Sequence, residues 1–318
     1  MRNYFSSVLV GLALAGAMAP GPSQAISYGI LDCDSVSCDH PNVVILSGLR
    51  AAGNGTLATC SGTLIHRTSS YYVFLTAAHC AKSWRDSINS GFISSVGVSF
   101  LSSVTRLPFN GFDQADYAAG GVPVRHPDFG PQDGNGWIQK HDLGMVSFTA
   151  AAVEAKFPEA TTIPLTVLAG DVNLKLQNLV SATTKPQKNL FFYSVGYGRD
   201  EYLDSGTQGD GSNEGGWNDL GMLGTRRVAD RQSFDNLRES ILQTSQNPAL
   251  GNNGTCDGDS GGPTFYQTLQ GPVQVGATSS GDLVCRATGT YARVDIAAAK
   301  SFINCGRNFP SNIQRCGN

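Results

Sequence analysis

Gly258-Asp259-Ser260-Gly261-Gly262-Pro263 is the stretch on which the reading of this chain turns. Glycines on both sides of Ser260 let the backbone bend sharply and let a carbonyl group come close to the hydroxyl. The amides of Gly258 and Ser260 would then face one small hollow, an arrangement suited to a developing oxyanion. A nucleophilic serine also needs a base to take its proton and a carboxylate to orient that base. The five histidines are His40, His66, His79, His126 and His141, and all precede Ser260. A base for Ser260 must therefore come from earlier in the chain.

That order separates two readings. The segment fits the G-x-S-x-G pattern of the α/β-hydrolase nucleophile elbow, but those enzymes run in the order Ser, acid, His. No histidine follows Ser260, which argues against an esterase of that class and leaves the order His, Asp, Ser. His79 stands in Leu75-Thr76-Ala77-Ala78-His79-Cys80, at the end of an apolar strand, among small residues that leave an imidazole accessible. Asp142 precedes the apolar run Leu143 to Phe148. Residue chemistry alone does not separate it from Asp113, Asp116, Asp128 or Asp133.

The 318 residues are 41% hydrophobic and 15% charged, with 38 glycines and a formal net charge of −3, a composition suited to a globular chain with a good core. No basic tract is present, which argues against nucleic acid as a partner. Arg2, the apolar run Val8 to Ala19 and the small residues of Ser23-Gln24-Ala25 follow the n-, h- and c-region order of a signal peptide, with cleavage expected after Ala25. No other segment is long and apolar enough for a membrane helix, so no membrane partner is expected once the signal is removed. Eight cysteines, an even number with no C-x-x-C pair, fit an oxidising compartment and disulfides rather than zinc. The mature protein is expected to be secreted, monomeric and free of metal or cofactor.

Short strands and turns dominate beyond residue 25. Asn42–Leu46, Tyr71–Leu75, Leu143–Phe148, Leu190–Val195, Val273–Thr278 and Thr290–Val294 read as strands. Helical periodicity emerges only over Asp295–Asn304, through Ile296, Ala299, Phe302 and Ile303. Phe109–Lys140 and Arg199–Leu223 read as long loops. The second is rich in carboxylates but matches no calcium loop, and reads as a solvated surface. The class is all-β with a C-terminal helix.

Thr76-Ala77-Ala78-His79-Cys80 and Gly258-Asp259-Ser260-Gly261-Gly262-Pro263 match the two signature segments of trypsin-like serine proteases letter for letter. The resemblance extends over most of the mature chain. Cys60-Ser61-Gly62-Thr63-Leu64-Ile65 resembles the strand before the catalytic histidine. His126-Pro127 with His141-Asp142-Leu143-Gly144-Met145-Val146 resembles the segment bearing the catalytic aspartate. Val195-Gly196-Tyr197-Gly198 and Tyr291-Ala292-Arg293-Val294 are similar to stretches of the second barrel.

This resemblance implies two antiparallel six-stranded Greek-key β-barrels, over 26–155 and 156–318, with the active site between them and a short C-terminal helix. It implies a serine endopeptidase acting on polypeptides, with His79 as base, Asp142 orienting it, Ser260 as nucleophile, and Gly258 and Ser260 supplying the oxyanion hole. It also implies the disulfides Cys60–Cys80 and Cys256–Cys285. Cys33–Cys38 and Cys305–Cys316 are expected from nearness, with cross-pairing of Cys33 or Cys38 to a C-terminal cysteine left open.

In such proteases a new N-terminal amine pairs with the carboxylate before the nucleophile. Here that assigns Ile26 to Asp259, with signal cleavage itself producing the active terminus and Gly29-Ile30 as a second possible cut. The specificity pocket maps to Gly254 at its base, Thr255 beside it, and Gly281 and Gly289 on its walls. A base without charge and glycine walls imply an open pocket for an apolar or aromatic P1 side chain. Ser280 replaces the usual tryptophan, and Asp257, Asp282 and Arg286 lie near in sequence. Asn54 and Asn253 begin glycosylation sequons; the second sits at the pocket and is read as a chance match. A catalytically inactive binding module is the alternative, against which stands the intact His79, Asp142 and Ser260 set.

Overall fold

Tyr71-Tyr72-Val73-Phe74-Leu75 is apolar on both faces because the strand serves two cores. Tyr72 and Phe74 point into one cluster with Val44, Leu46, Trp84 and Phe148, while Val73 and Leu75 point into another with Met145, Val275 and Phe302. Alternate residues of a strand face opposite sides, so a continuous apolar run marks burial on both.

A computed structural model describes residues 29–34, 37–107, 111–131, 139–182, 189–199, 224–282 and 284–317. In chain order its strands are β1 (Ile30–Leu31), β2 (Val43–Arg50), β3 (Thr56–Arg67), β4 (Tyr71–Thr76), β5 (Ile93–Ser99), β6 (Arg106–Leu107), β7 (Gly111–Phe112), β8 (Ala118–Arg125), β9 (Gly130–Pro131), β10 (Gln139–Lys140), β11 (Gly144–Thr149), β12 (Phe191–Gly196), β13 (Arg227–Leu237), β14 (Ile241–Ser245), β15 (Pro263–Thr268), β16 (Gly271–Gly281) and β17 (Thr288–Arg293). The α-helices are α1 (Ala78–Asn89), α2 (Ala150–Lys156), α3 (Leu176–Ala182) and α4 (Ala297–Asn308).

Six strands close a first antiparallel barrel in the order β11-β4-β3-β2-β5-β8. Six more run β13-β12-β15-β16-β17-β14, and the pairing of β13 with β14 closes the second ring, with β1 attached outside β13. In each barrel three consecutive strands form hairpins and the next returns beside the first, the Greek-key order. A third cluster, including Val43, Ile45, Tyr117, Val195, Val228 and Phe265, fills the seam between the barrels. Helix α4 packs Phe302 and Ile303 into the cluster that joins both barrels. All four expected disulfides are present: Cys33–Cys38, Cys60–Cys80, Cys256–Cys285 and Cys305–Cys316.

The chain before β2 is tied to the seam by a buried cluster. Asp32 accepts from His40 Nδ1 at 2.5 Å and from Arg226 Nε at 2.7 Å. Burial opposes charge on Asp32, but these two partners prevail and hold its pKa below the ordinary aspartate value.

Several expectations from sequence change. His79 does not end a strand; β4 stops at Thr76 and His79 lies in the first turn of α1. This helix escapes a periodicity search because its buried positions, Ala78, Cys80, Ala81 and Trp84, are few and mostly small. Trp84 Nε1 donates to the Ala58 carbonyl at 2.6 Å and fixes the helix on β3. The expected loop Phe109–Lys140 contains β8, a full barrel strand whose glycines and proline conceal it. Gly121 there is required by packing, since a Cβ would lie 2.4 Å from the Phe148 ring. His141, just before β11, has φ of 52° and stacks on His126 at 4.8 Å. The signal segment 1–25, Ile26 and the acidic loop from 200 to 223 lie outside the described residues.

Phe74 is fully buried and contacts the rings of Tyr72, Phe100 and Phe148. Phe74→Ala is expected to destabilise the first barrel by about 3–5 kcal/mol, measured by denaturant unfolding. A loss below about 1 kcal/mol, the range of an ordinary surface substitution, would contradict this packing.

Candidate active site

The first turn of a helix leaves backbone N–H groups without partners. At α1, Ala77 is extended and offers no side-chain cap. Asp142 supplies one from a distance: its Oδ1 accepts the His79 amide at 2.9 Å, and its Oδ2 faces His79 Nδ1 at 2.8 Å. One carboxylate thus fixes both the backbone and the ring of His79. With Nδ1 donating to Asp142, Nε2 is left as an acceptor. Ser279, on β16 of the other barrel, donates its hydroxyl to Asp142 Oδ2 at 2.6 Å. Asp142 is fully buried, and these three donors offset the cost of burying it. Burial opposes charge on the His79 ring, but Asp142, with a contribution from Asp257, outweighs it and raises the pKa above the usual histidine value.

Ser260 reaches the same place from the second barrel. Its carbonyl accepts from the Ser61 amide at 2.8 Å, and Cys80 Sγ lies 3.9 Å from that oxygen. Ser61 Oγ donates to the Gly258 carbonyl at 3.0 Å and accepts from the Tyr197 amide at 3.0 Å. Gly258 and Gly261 have φ of 94° and 80°, which explains the glycines flanking the serine. Gly261 also has no room for a side chain, because a Cβ would lie 2.5 Å from the Ala77 amide nitrogen. The Ser260 turn therefore presses against the entry to α1. Among the described residues, the amides of Gly258 and Ser260 have no hydrogen-bond partner, and no hydrogen bond joins the Ser260 hydroxyl to His79.

Asp259 is fully buried and accepts from the Gly198 amide at 2.7 Å and the Cys256 amide at 2.9 Å. Gly196 and Gly198 give it space; a Cβ on Gly198 would lie 2.5 Å from its carboxyl carbon. Burial pushes its pKa up to about 7.

A pocket of about 280 Å³ opens beside Ser260, with Thr255, Thr278, Ser279, Ser280 and Gly281 among its lining. Of the four residues mapped to it from sequence, Thr255 and Gly281 line it. Gly254 and Gly289 do not: both pack against the side chain of Gln246, which fills the room expected to be open. Asp257 and Asp282 stand at the pocket, the first paired with Arg199 at 3.2 Å, the second accepting backbone amides of Arg286, Ala287 and Thr288. Asn253 is buried, with its side-chain amide bonded to Asp230 and its oxygen to the Arg231 amide, so its sequon is closed to modification in the folded state. Sequence reasoning missed Ser61, Gln246 and Ser279. For Ser279 the available signal was its place beside Ser280 and Gly281; the other two only acquire meaning once the barrels meet.

The family model described as Trypsin matches residues 47–303, more than half of the chain. No curated protein matches the sequence.

With its folded pKa raised above 6.5, charged His79 adds stability below that value, and the contribution fades as pH rises through the folded pKa. In an NMR titration His79 is expected to titrate above 6.5, and lower in Asp142→Asn than in the unaltered protein. Equal midpoints in both proteins would contradict the assigned coupling.

Proposed function

This chain belongs to the trypsin family, and we propose on that premise that it is a secreted serine endopeptidase. The observation that carries the proposal is the contact of His79 Nδ1 with buried Asp142 at 2.8 Å, next to the Ser260 turn. Ser260 Oγ attacks the carbonyl carbon of a peptide bond while His79 Nε2 takes its proton. The resulting oxyanion is held by the amides of Gly258 and Ser260. His79 then gives the proton to the departing amine, leaving an acyl group on Ser260. Water, deprotonated by His79, releases that acyl group and restores the serine. Residues 26–155 and 156–318 form the two halves of this monomeric enzyme.

The signal segment and the four disulfides support export. Among the described residues no helix is long and apolar enough to cross a membrane. Cleavage after Ala25 would free the amine of Ile26, and buried Asp259 is the carboxylate assigned to receive it. A cation there would draw the Asp259 pKa down from about 7 and keep the carboxylate charged. Gly254 offers no carboxylate to a lysine or arginine P1 side chain, which favours a non-tryptic preference.

A fluorophosphonate is expected to label the mature protein and to leave Ser260→Ala unlabelled. Failure to label the unaltered protein would favour an inactive binding module. Peptide hydrolysis is expected to rise with pH through the His79 pKa, above 6.5; a flat profile between about pH 5 and 8 would count against His79 as base. N-terminal sequencing of active protein is expected to begin at Ile26, and any other start would remove the Ile26–Asp259 pairing.

A further inference from the structure

We infer that the Ser61 hydroxyl is a positioning group for the oxyanion hole, fixing the Gly258 carbonyl and through it the amides of Gly258 and Ser260. This inference rests on the protease reading above. Ser61 lies on β3 of the first barrel and is fully buried. Its hydroxyl donates to the Gly258 carbonyl at 3.0 Å and accepts from the Tyr197 amide at 3.0 Å. Its own amide donates to the Ser260 carbonyl at 2.8 Å, and its carbonyl accepts from Thr76 Oγ1 at 2.8 Å. One residue of the first barrel thus holds the carbonyls of both residues whose amides are assigned to the oxyanion.

In a trans peptide the N–H points away from the preceding carbonyl, so whatever holds that carbonyl also aims the amide. The Gly258 amide is aimed by the Asp257 carbonyl, which accepts from the Arg199 amide at 2.8 Å. The Ser260 amide is aimed by the Asp259 carbonyl, which accepts from the Gly262 amide at 2.8 Å. The Gly258–Asp259 peptide joins these two planes. Its N–H donates to the Cys256 carbonyl at 3.1 Å, and its carbonyl meets Ser61 Oγ. The carbonyls of Asp257, Asp259 and Ser260 accept from backbone amides, whereas that of Gly258 accepts from a side chain. Gly258 has φ of 94° and no Cβ to restrict its ψ, so the joining plane is where the turn can twist. The Ser61 hydroxyl opposes that twist.

An oxyanion is stabilised most by donors that are aimed at it before its charge develops. Without the Ser61 hydroxyl, the Gly258 carbonyl and the Tyr197 amide would both lose a buried partner. The carbonyl would turn to find another, and the two amides would no longer converge. Among the described residues no hydrogen bond joins Ser61 to His79 or Asp142. Proton transfer therefore keeps its geometry while oxyanion binding weakens.

The test compares Ser61→Ala with the unaltered protein on one peptide substrate, with kcat counted per site that a fluorophosphonate labels at completion. Removing an oxyanion donor outright costs about 100- to 1000-fold in kcat, and misaiming the pair is expected to cost at least about tenfold. KM is expected to change by less than about threefold, the split of an interaction made mainly in the transition state. A peptide boronate takes the Ser260 oxygen on boron and places a hydroxyl in the oxyanion position. It is expected to bind more weakly by the factor lost from kcat/KM. The pH midpoint of kcat/KM is expected to stay where it was. A smaller loss in kcat overturns the proposal, and so does a shifted pH midpoint with unchanged boronate affinity. If Ser61→Ala labels no sites, a crystal structure of the unaltered protein with the boronate decides. Ser61 Oγ on the Gly258 carbonyl, with both amides on the boronate oxygen, supports the proposal; a Gly258 carbonyl turned away from Ser61 overturns it. If the unaltered protein itself does not label, the protease reading fails and this proposal falls with it.

Discussion

Asp142 has no contact with solvent, and a carboxylate can sit there only because donors surround it. Two come from His79, through its backbone amide and its ring, and the third is the hydroxyl of Ser279. These donors belong to the helix that leaves the first barrel and to a strand of the second. The hydrogen bonds that satisfy Asp142 thus also fix where the barrels meet and how the imidazole is turned. Loss of one partner would leave the others facing an under-satisfied buried group, which costs more than the lost bond alone.

The Gly258–Pro263 segment depends on the same seam. Ser61 of β3 binds the backbone of Gly258 and Ser260 through its hydroxyl and amide, so the first barrel shapes the turn that carries the serine. Gly261 permits this approach by leaving the entry to α1 unobstructed. Asp259 turns inward at the same point, and its two backbone donors do not remove the penalty of its burial, which raises its pKa. The proposed Ile26 amine would join the arrangement at this carboxylate.

Much of the barrel framework was legible in the sequence because its strands are apolar on one or both faces. Tyr71–Leu75 and Leu143–Phe148 are clear cases. β8 was not legible: Gly120, Gly121 and Pro123 are poor strand formers, and tertiary packing against Phe148 decides the conformation. Helix α1 was hidden because its anchor is a single tryptophan and a disulfide rather than an apolar stripe. At the site, the residues with distinctive neighbours were found. Ser61, Ser279 and Gln246 were missed because each acts through a partner nine to 197 residues away or through a space defined by several loops. The pocket illustrates the limit best: glycine positions show where side chains are missing, but not what fills the vacancy.

The central claim is that Ser260, served by His79 and Asp142, forms a covalent acyl intermediate. Pre-steady-state reaction of the mature protein with an activated ester measures this directly. The account predicts a rapid burst of leaving group equal to one equivalent per chain, with the acyl group mapped to Ser260 by mass spectrometry. No burst, or an acyl group on another residue, would contradict it.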